Sequence, residues 1–132
     1  MAIIFTFGSN MLGIHGKGAA FTALKKYGAI YGQGEGRQGL SYAIPTKKTP
    51  YITLPLDKIN QNVQKFIQYA TEHADDTFIL TRIGCGLAGY KDQQIAPMFK
   101  TAPTNVNIPD EWKDILGISS NELTMDELFN DV

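Results

Sequence analysis

Short apolar runs alternate with amphipathic segments along most of this chain. Residues 3–7, IIFTF, form a β-branched and aromatic run that ends at Gly8 and predicts a buried strand. The segments 41–47, SYAIPTK, and 77–83, TFILTRI, predict two further strands. Because proline cannot donate a hydrogen bond to a neighbouring strand, Pro45 indicates an edge strand or a strand end.

Apolar residues at helical spacing predict helices between these strands. The segment 16–28, GKGAAFTALKKYG, closes with two lysines and Gly28, as a helix C-terminus does. The segment 56–74 is more strongly amphipathic, and we expect Asp57 to cap its N-terminus. One face of that helix carries Ile59, Val63, Phe66, Ile67 and Ala70. The glycine-rich residues 28–40 predict a loop.

Two shorter helices are expected after the third strand. Asp92 is placed to cap a helix that runs to about residue 100, with Pro97 kinking or shortening it. Another short helix is predicted at 109–116, where Trp112 should pack the C-terminal segment onto the sheet. The acidic remainder, 117–132, is expected to form a tail or a short helix.

The alternation of strands and helices predicts a mostly parallel sheet covered on both faces, because parallel strands need crossover connections. We therefore predict a single α/β domain over residues 1–132, with its core at about 3–116. Ligands of such sheets bind beyond the carboxyl ends of the strands. Three loops follow those ends: GSNMLGIHGKG at 8–18, TKKTP at 46–50 and GCGLAGY at 84–90.

Composition argues against several classes of function. The net charge is -1 and the basic residues are scattered, so stable binding to duplex nucleic acid is not expected. One cysteine cannot form an internal disulfide, and two histidines and one cysteine fall short of a zinc site. No apolar run approaches the ~20 residues that span a bilayer. The N-terminal segment lacks a signal-peptide pattern, which predicts a cytoplasmic protein, and no cofactor is expected.

The glycine-rich loops at 8–18 and 84–90 are chemically unusual. Successive main-chain N–H groups in such turns can point into one concavity, and a helix N-terminus adds partial positive charge. Two such loops at neighbouring strand ends suit two linked phosphates, whereas a tight turn is the simpler explanation for any single glycine. The pattern G-x-G-x-x-G at 34–39 lacks a strand-to-helix context, and at 84–89 too little chain follows it. The Walker pattern fails, because glycine follows Lys17 in place of Ser or Thr.

The order of these segments resembles that of a known superfamily. SNMLGIHGKGAAFTALKKYG is followed by YAIPTKK and then by TRIGCGLAGY, across roughly residues 5–100. Together they resemble the macro domain superfamily, whose members bind ADP-ribose. The most similar branch is that of the terminal ADP-ribose protein glycohydrolase and the DNA ADP-ribosyl glycohydrolase antitoxin. The resemblance implies a three-layer α/β/α fold shortened at its N-terminus.

The resemblance also implies a ligand-binding set around the distal ribose and the diphosphate of ADP-ribose. That set comprises Ser9, Asn10, His15, Gly16, Lys17, Gly18, Thr46, Gly84, Cys85, Gly86, Leu87, Ala88, Gly89 and Tyr90. Lys47 lies where the branch keeps a lysine able to attack the anomeric carbon, which requires a neutral amine. From the sequence alone, a solvated lysine at the end of a strand is the simpler interpretation.

One position departs from the pattern of the branch. Human-type glycohydrolases carry an acid/base aspartate after GCGL, where this chain has Ala88. His15 or Asp92 could substitute, although neither is at the matching position. Two hypotheses follow: a hydrolase that cleaves an ADP-ribosyl linkage at the ribose C1″ carbon, using Lys47 or an activated water, and a module that binds ADP-ribose or an ADP-ribosylated substrate without turnover.

Overall fold

The computed structural model describes residues 1–118, which form one sheet with helices on both faces. In chain order, its first half contains β1 (Ile3–Asn10), α1 (Gly18–Lys26), β2 (Gly36–Gln38), β3 (Ser41–Thr49) and β4 (Ile52–Thr53). The second half contains α2 (Leu56–Glu72), β5 (Thr77–Leu80), α3 (Asp92–Ile95), a 3-10 turn (Ala96–Phe99), β6 (Val106–Asn107) and α4 (Asp110–Leu116). The predicted tail beyond Ile118 lies outside the described residues.

The sheet is mixed and mostly parallel. Its strand order is β2-β3-β1-β5-β6, with β1 at the centre. β1 pairs in parallel with β3 and β5, and β5 pairs in parallel with β6. β2 and β4 both pair antiparallel with β3. The prediction of an α/β domain with a mostly parallel sheet is confirmed.

The helices bury the two faces of the sheet unequally. α2 lies on one face and buries its five predicted core residues, as its apolar spacing requires. The ring of Phe66 packs against Tyr42 and Phe78, with centroids 5.0 and 5.4 Å away. The opposite face is covered by α1 through a smaller cluster that contains Phe7, Ala23 and Ala43.

Two expectations about the middle of the chain were wrong. The glycine-rich segment 28–40 contains the short strand β2 at its end. Pro45 lies inside β3, which has β1 on one side and β2 and β4 on the other, so β3 is not an edge strand. The β1–β3 register shifts between Ser9 and Asn10, directly beside Pro45. The missing N–H of the proline therefore falls at an irregular point of the ladder.

The predicted helix caps also need correction. α2 begins at Leu56, and Asp57 lies in its first turn, where a carboxylate favours the helix dipole without capping. Asp92 is likewise inside α3, and its carboxylate binds other partners. Pro97 ends α3 early, since the chain continues as a 3-10 turn. Within residues 1–118, no helix combines the length and apolarity needed to cross a membrane.

Candidate functional site

Three chain segments begin side by side at the carboxyl end of the sheet. We refer to residues 11–17 as the first loop, residues 46–54 as the β3–β4 hairpin and residues 81–91 as the second loop. A Cβ built on Gly8, two residues before the end of β1, would lie 3.4 Å from Ile83 Cβ and 3.5 Å from Thr46 Oγ1. The parallel pairing of β1 with β3 and β5 therefore brings the starts of all three segments to the same end of the sheet, where the Met11 N–H donates to the Lys47 carbonyl (2.8 Å).

The first loop is shaped by polar side chains from the last two residues of β1, Ser9 and Asn10. The Asn10 amide donates to the Ile14 carbonyl (2.8 Å) and accepts from the Ile14 N–H (3.1 Å). The Ser9 hydroxyl donates to the carbonyl of Gly34, in the segment before β2. Both side chains are buried, so they fix the path of the loop and are not free to bind a ligand.

His15 lies in the protein interior, with none of its surface exposed. Its Nε2 lies 3.0 Å from the Gln33 carbonyl oxygen, and its ring meets the edge of Phe7 at a centroid distance of 5.4 Å. A carbonyl can only accept, so Nε2 carries the proton, and Nδ1 is left as an acceptor without a partner among residues 1–118. This placement gives His15 a structural role and disfavours it as an acid/base.

The second loop is held against the β3–β4 hairpin. The Thr53 hydroxyl donates to the Ala88 carbonyl (3.2 Å), and the Tyr90 hydroxyl donates to the Leu54 carbonyl (2.7 Å). The loop closes on itself through a hydrogen bond from the Tyr90 N–H to the Gly84 carbonyl (2.9 Å). Gly84 has a φ of +75° and a built Cβ would lie 3.0 Å from Ile95, so a side chain there would be both strained and crowded.

Gly16 and Gly86 differ from the other glycines of the two loops. A Cβ built on either would meet no protein atom within 4 Å, and neither has a positive φ. Neither packing nor backbone conformation therefore requires glycine at these two positions. Across residues 1–118, the N–H groups of Gly16, Lys17, Gly86, Leu87 and Ala88 donate no hydrogen bond. Each loop thus presents free donors beside a bare stretch of backbone.

The three segments are strongly cationic although the whole chain carries a net charge of -1. They contain no aspartate or glutamate, and their basic residues are Lys17, Lys47, Lys48, Arg82 and Lys91. Arg82 is paired with Asp92 and Glu111 from outside the loops. The four lysines form no ion pair with any residue that the structure describes, and the Lys47 ammonium donates to the Pro50 carbonyl within the hairpin.

Asp92 is occupied by structural partners. Arg82 contacts it through two hydrogen bonds, of 3.0 and 2.7 Å, and the Trp112 indole N–H donates to it at 2.6 Å. The hydrogen bond from Arg82, followed by that from Trp112, lowers the pKa of Asp92 to about 2. A carboxyl that is ionised at neutral pH and already paired is a poor proton donor, so the geometry disfavours Asp92 as the acid/base.

Cys85 is a packing residue. Its side chain contacts the main core, and burial, with a smaller effect of the neighbouring Asp92, raises the pKa of its thiol to about 12. The thiol therefore stays protonated at neutral pH and is not a nucleophile.

The predicted site residues fall into two groups. Those that shape the loops are buried: Ser9, Asn10, His15, Thr46 and Gly84. Those that face solvent are Gly16, Lys17, Gly18, Gly86, Leu87 and Gly89, while Cys85, Ala88 and Tyr90 are partly buried. The sequence did not indicate Gln33, Thr53 or Leu54, which bind the loops. The two-residue strand β4 is too short to show an apolar pattern.

A depression of about 510 Å³ lies elsewhere, between α2 and the 3-10 turn, lined by residues such as Leu56, Gln64 and Met98. The part of the chain that the structure describes contains no group of three or more His, Cys, Asp or Glu side chains placed to hold a metal ion.

Comparisons with protein-family models, with characterised proteins and with solved structures found no match to this chain.

Proposed function

We propose that this chain is a macro-like domain that binds ADP-ribose, or a nucleotide derived from it, at the carboxyl end of its sheet. The diphosphate would lie against the first and second loops. The observation that carries the proposal is the open surface at Gly16 and Gly86, where glycine is required neither by packing nor by backbone conformation. A ligand that approaches the main chain closely supplies the missing reason for glycine.

The chemistry of the loops supports an anionic ligand. The free N–H groups of residues 16–17 and 86–88 are donors suited to phosphate oxygens. α1 begins directly after the first loop and has no acidic residue in its first turn, so its dipole also favours an anion. The four lysines of the three segments, which form no ion pair with a described residue, make the electrostatic potential around the loops more positive. The resemblance to macro domains specifies ADP-ribose among the possible diphosphates.

Calorimetric titration with ADP-ribose tests the proposal. We expect binding by the unaltered chain and about tenfold weaker binding by Gly86→Val, because the added side chain occupies the space of the ligand. Lys17→Ala should also weaken binding, by about threefold, whereas Lys26→Ala, at the far end of α1, should have no effect. Absence of heat at millimolar ADP-ribose, or equal affinity of Gly86→Val and the unaltered chain, would contradict the proposal.

Hydrolysis of an ADP-ribosyl linkage is the second candidate function, and the position of Lys47 supports it. Lys47 ends the ladder between β3 and β1, and its amine is held in the hairpin that contacts the second loop. In the proposed step, Lys47 or a water forms a bond to C1″ while the bond from C1″ to the leaving group breaks and its electron pair stays on that group, which takes up, through solvent, the proton that the nucleophile loses. Where Lys47 is the nucleophile, a water then displaces it from C1″, and free ADP-ribose leaves as the lysine amine is regenerated. Ala88 supplies no proton carrier, and His15 and Asp92 are otherwise engaged, which favours binding over turnover.

Incubation with ADP-ribosylated protein and ADP-ribosylated DNA separates the two candidates. A hydrolase releases free ADP-ribose, and Lys47→Ala should reduce the release at least about 100-fold, as expected for loss of a nucleophile. Lys48→Ala is the matched control, because it removes the neighbouring charge and keeps Lys47. Tight binding without release would leave the chain as a binding module.

The cytoplasmic location expected from the sequence stays a prediction.

A further inference from the structure

The second loop is positioned by a strand to which it is not connected. It leaves the sheet after β5 and leads to α3, yet its middle is fastened to β4. The two hydrogen bonds run in opposite directions: the Thr53 hydroxyl donates to the Ala88 carbonyl, and the Tyr90 hydroxyl donates to the Leu54 carbonyl. Each side thus holds the other's main chain, so the separation of loop and hairpin is fixed at two points.

The hairpin is a suitable support because it is itself well anchored. The Leu54 N–H donates to the Thr46 carbonyl at 3.0 Å, and Thr53 pairs with Lys47 in the β3–β4 ladder. The side chain of Leu54 is buried in the main core. Thr53 and Leu54 therefore move with β3, the strand that ends at the candidate site.

The free donors of the second loop lie in the turn that the Gly89 N–H closes on the Gly86 carbonyl (3.0 Å), and the two attachment points hold the C-terminal side of that turn. Gly86 has open space around it, and the N–H groups of Gly86, Leu87 and Ala88 bond to no described residue. The turn fixes the direction of these N–H groups relative to one another, and the hairpin, by holding Ala88 and Tyr90, orients the turn relative to the sheet. We propose that Thr53 and Tyr90 are positioning residues, which hold these three N–H groups in the orientation that a diphosphate requires; the ligand named here rests on the proposed function.

In this arrangement Tyr90 supports the second loop, whereas the resemblance to macro domains had implied that it lines the ligand. Its hydroxyl is committed to the Leu54 carbonyl, and its ring packs against the main core. Tyr90→Phe keeps the ring in place and removes only the hydroxyl, so the core should stay folded. Thr53→Val removes the other hydroxyl with little change of shape, and Thr53→Ser retains it.

Amide hydrogen exchange and backbone ¹⁵N relaxation of the ligand-free chain test the positioning directly. In Tyr90→Phe and Thr53→Val, we expect residues 86–89 to become more mobile by relaxation, and the hydrogen-bonded amides of Gly89 and Tyr90 to exchange about three- to tenfold faster, the effect of losing one neutral hydrogen bond. First-loop amides should be unchanged. Thr53→Ser should behave as the unaltered chain, and so should Tyr51→Phe, whose side chain belongs to the same hairpin and is 93% exposed.

Titration with ADP-ribose supplies the second measurement. Tyr90→Phe and Thr53→Val should each bind about three- to tenfold more weakly, while Thr53→Ser and Tyr51→Phe keep the original affinity. Unchanged mobility of residues 86–89 in both Tyr90→Phe and Thr53→Val would overturn the positioning role, whatever the affinity. Failure of the unaltered chain to bind ADP-ribose would overturn the proposed function and the diphosphate orientation, and the relaxation data would still decide whether the hairpin holds the loop.

Discussion

At the scale of single residues, Asp92 connects three segments that are separate in the sequence. Its carboxylate accepts from Arg82 of the second loop and from Trp112 of α4, and it lies in the first turn of α3. Trp112 is fully buried and tilts against Phe99 at a centroid distance of 5.5 Å. The indole N–H would be a buried donor without a partner if the carboxylate were removed, so Asp92 supports the packing of α4.

This arrangement predicts a specific dependence of stability on pH. The folded-state pKa of Asp92 is lowered to about 2, against an ordinary value of 3.8, so its contribution is present above pH 4 and is lost as the pH falls towards 2. Urea denaturation should therefore show Asp92→Asn as less stable than the unaltered chain at pH 6, with the difference narrowing between pH 4 and pH 2. Asp75→Asn, at an exposed carboxylate, is the control. A difference that is constant across this range would show that the ionised form of Asp92 is not what stabilises the fold.

At the scale of elements, the strength of the apolar pattern decides what could be predicted. α2 carries five apolar residues at helical spacing, and all five are buried, because one face of a long helix has to meet the sheet. β2 and β4 have no such pattern, since they are three and two residues long and depend on pairing with β3. The prediction of an edge strand or strand end at Pro45 was wrong because its missing N–H falls at a register shift in the β1–β3 pairing, which no local pattern indicates.

For the candidate site as well, the sequence predicted the location of the segments but not the contacts of individual side chains. The order of strands and helices predicts that the three segments meet at one end of the sheet, and they do. The roles of His15 and Asp92 depend on Gln33 and Arg82, partners that spacing along the chain does not indicate. Loop composition could therefore indicate the location of a site. Which side chains in it are free of structural partners could be identified only from the structure.

At the scale of the whole molecule, the two faces of the sheet are packed by unequal cores. The face under α2 contains large side chains such as Phe66, Phe78 and Trp112. The face under α1 is buried by Phe7 and four alanines, with Phe5 and Ala19 packed beside them. Alanine buries little apolar area, so docking of α1 contributes less free energy than docking of α2. The side of the molecule that carries the first loop is therefore the less stable one.

Native-state hydrogen exchange should show that α1, the less strongly docked helix, opens separately from the rest of the molecule. We expect amides in the middle of α1, around Ala23, to be at least about 100-fold less protected than those around Phe66 of α2, since α2 buries four large apolar side chains and α1 buries only alanines. Amides of β1, which lies between the two layers, serve as the reference for global unfolding. Equal protection of α1 and α2 would show instead that the molecule opens as one unit. If ADP-ribose binds as proposed, saturating ligand should narrow this difference in protection, because a ligand at the first turn of α1 stabilises only the state in which that helix is docked.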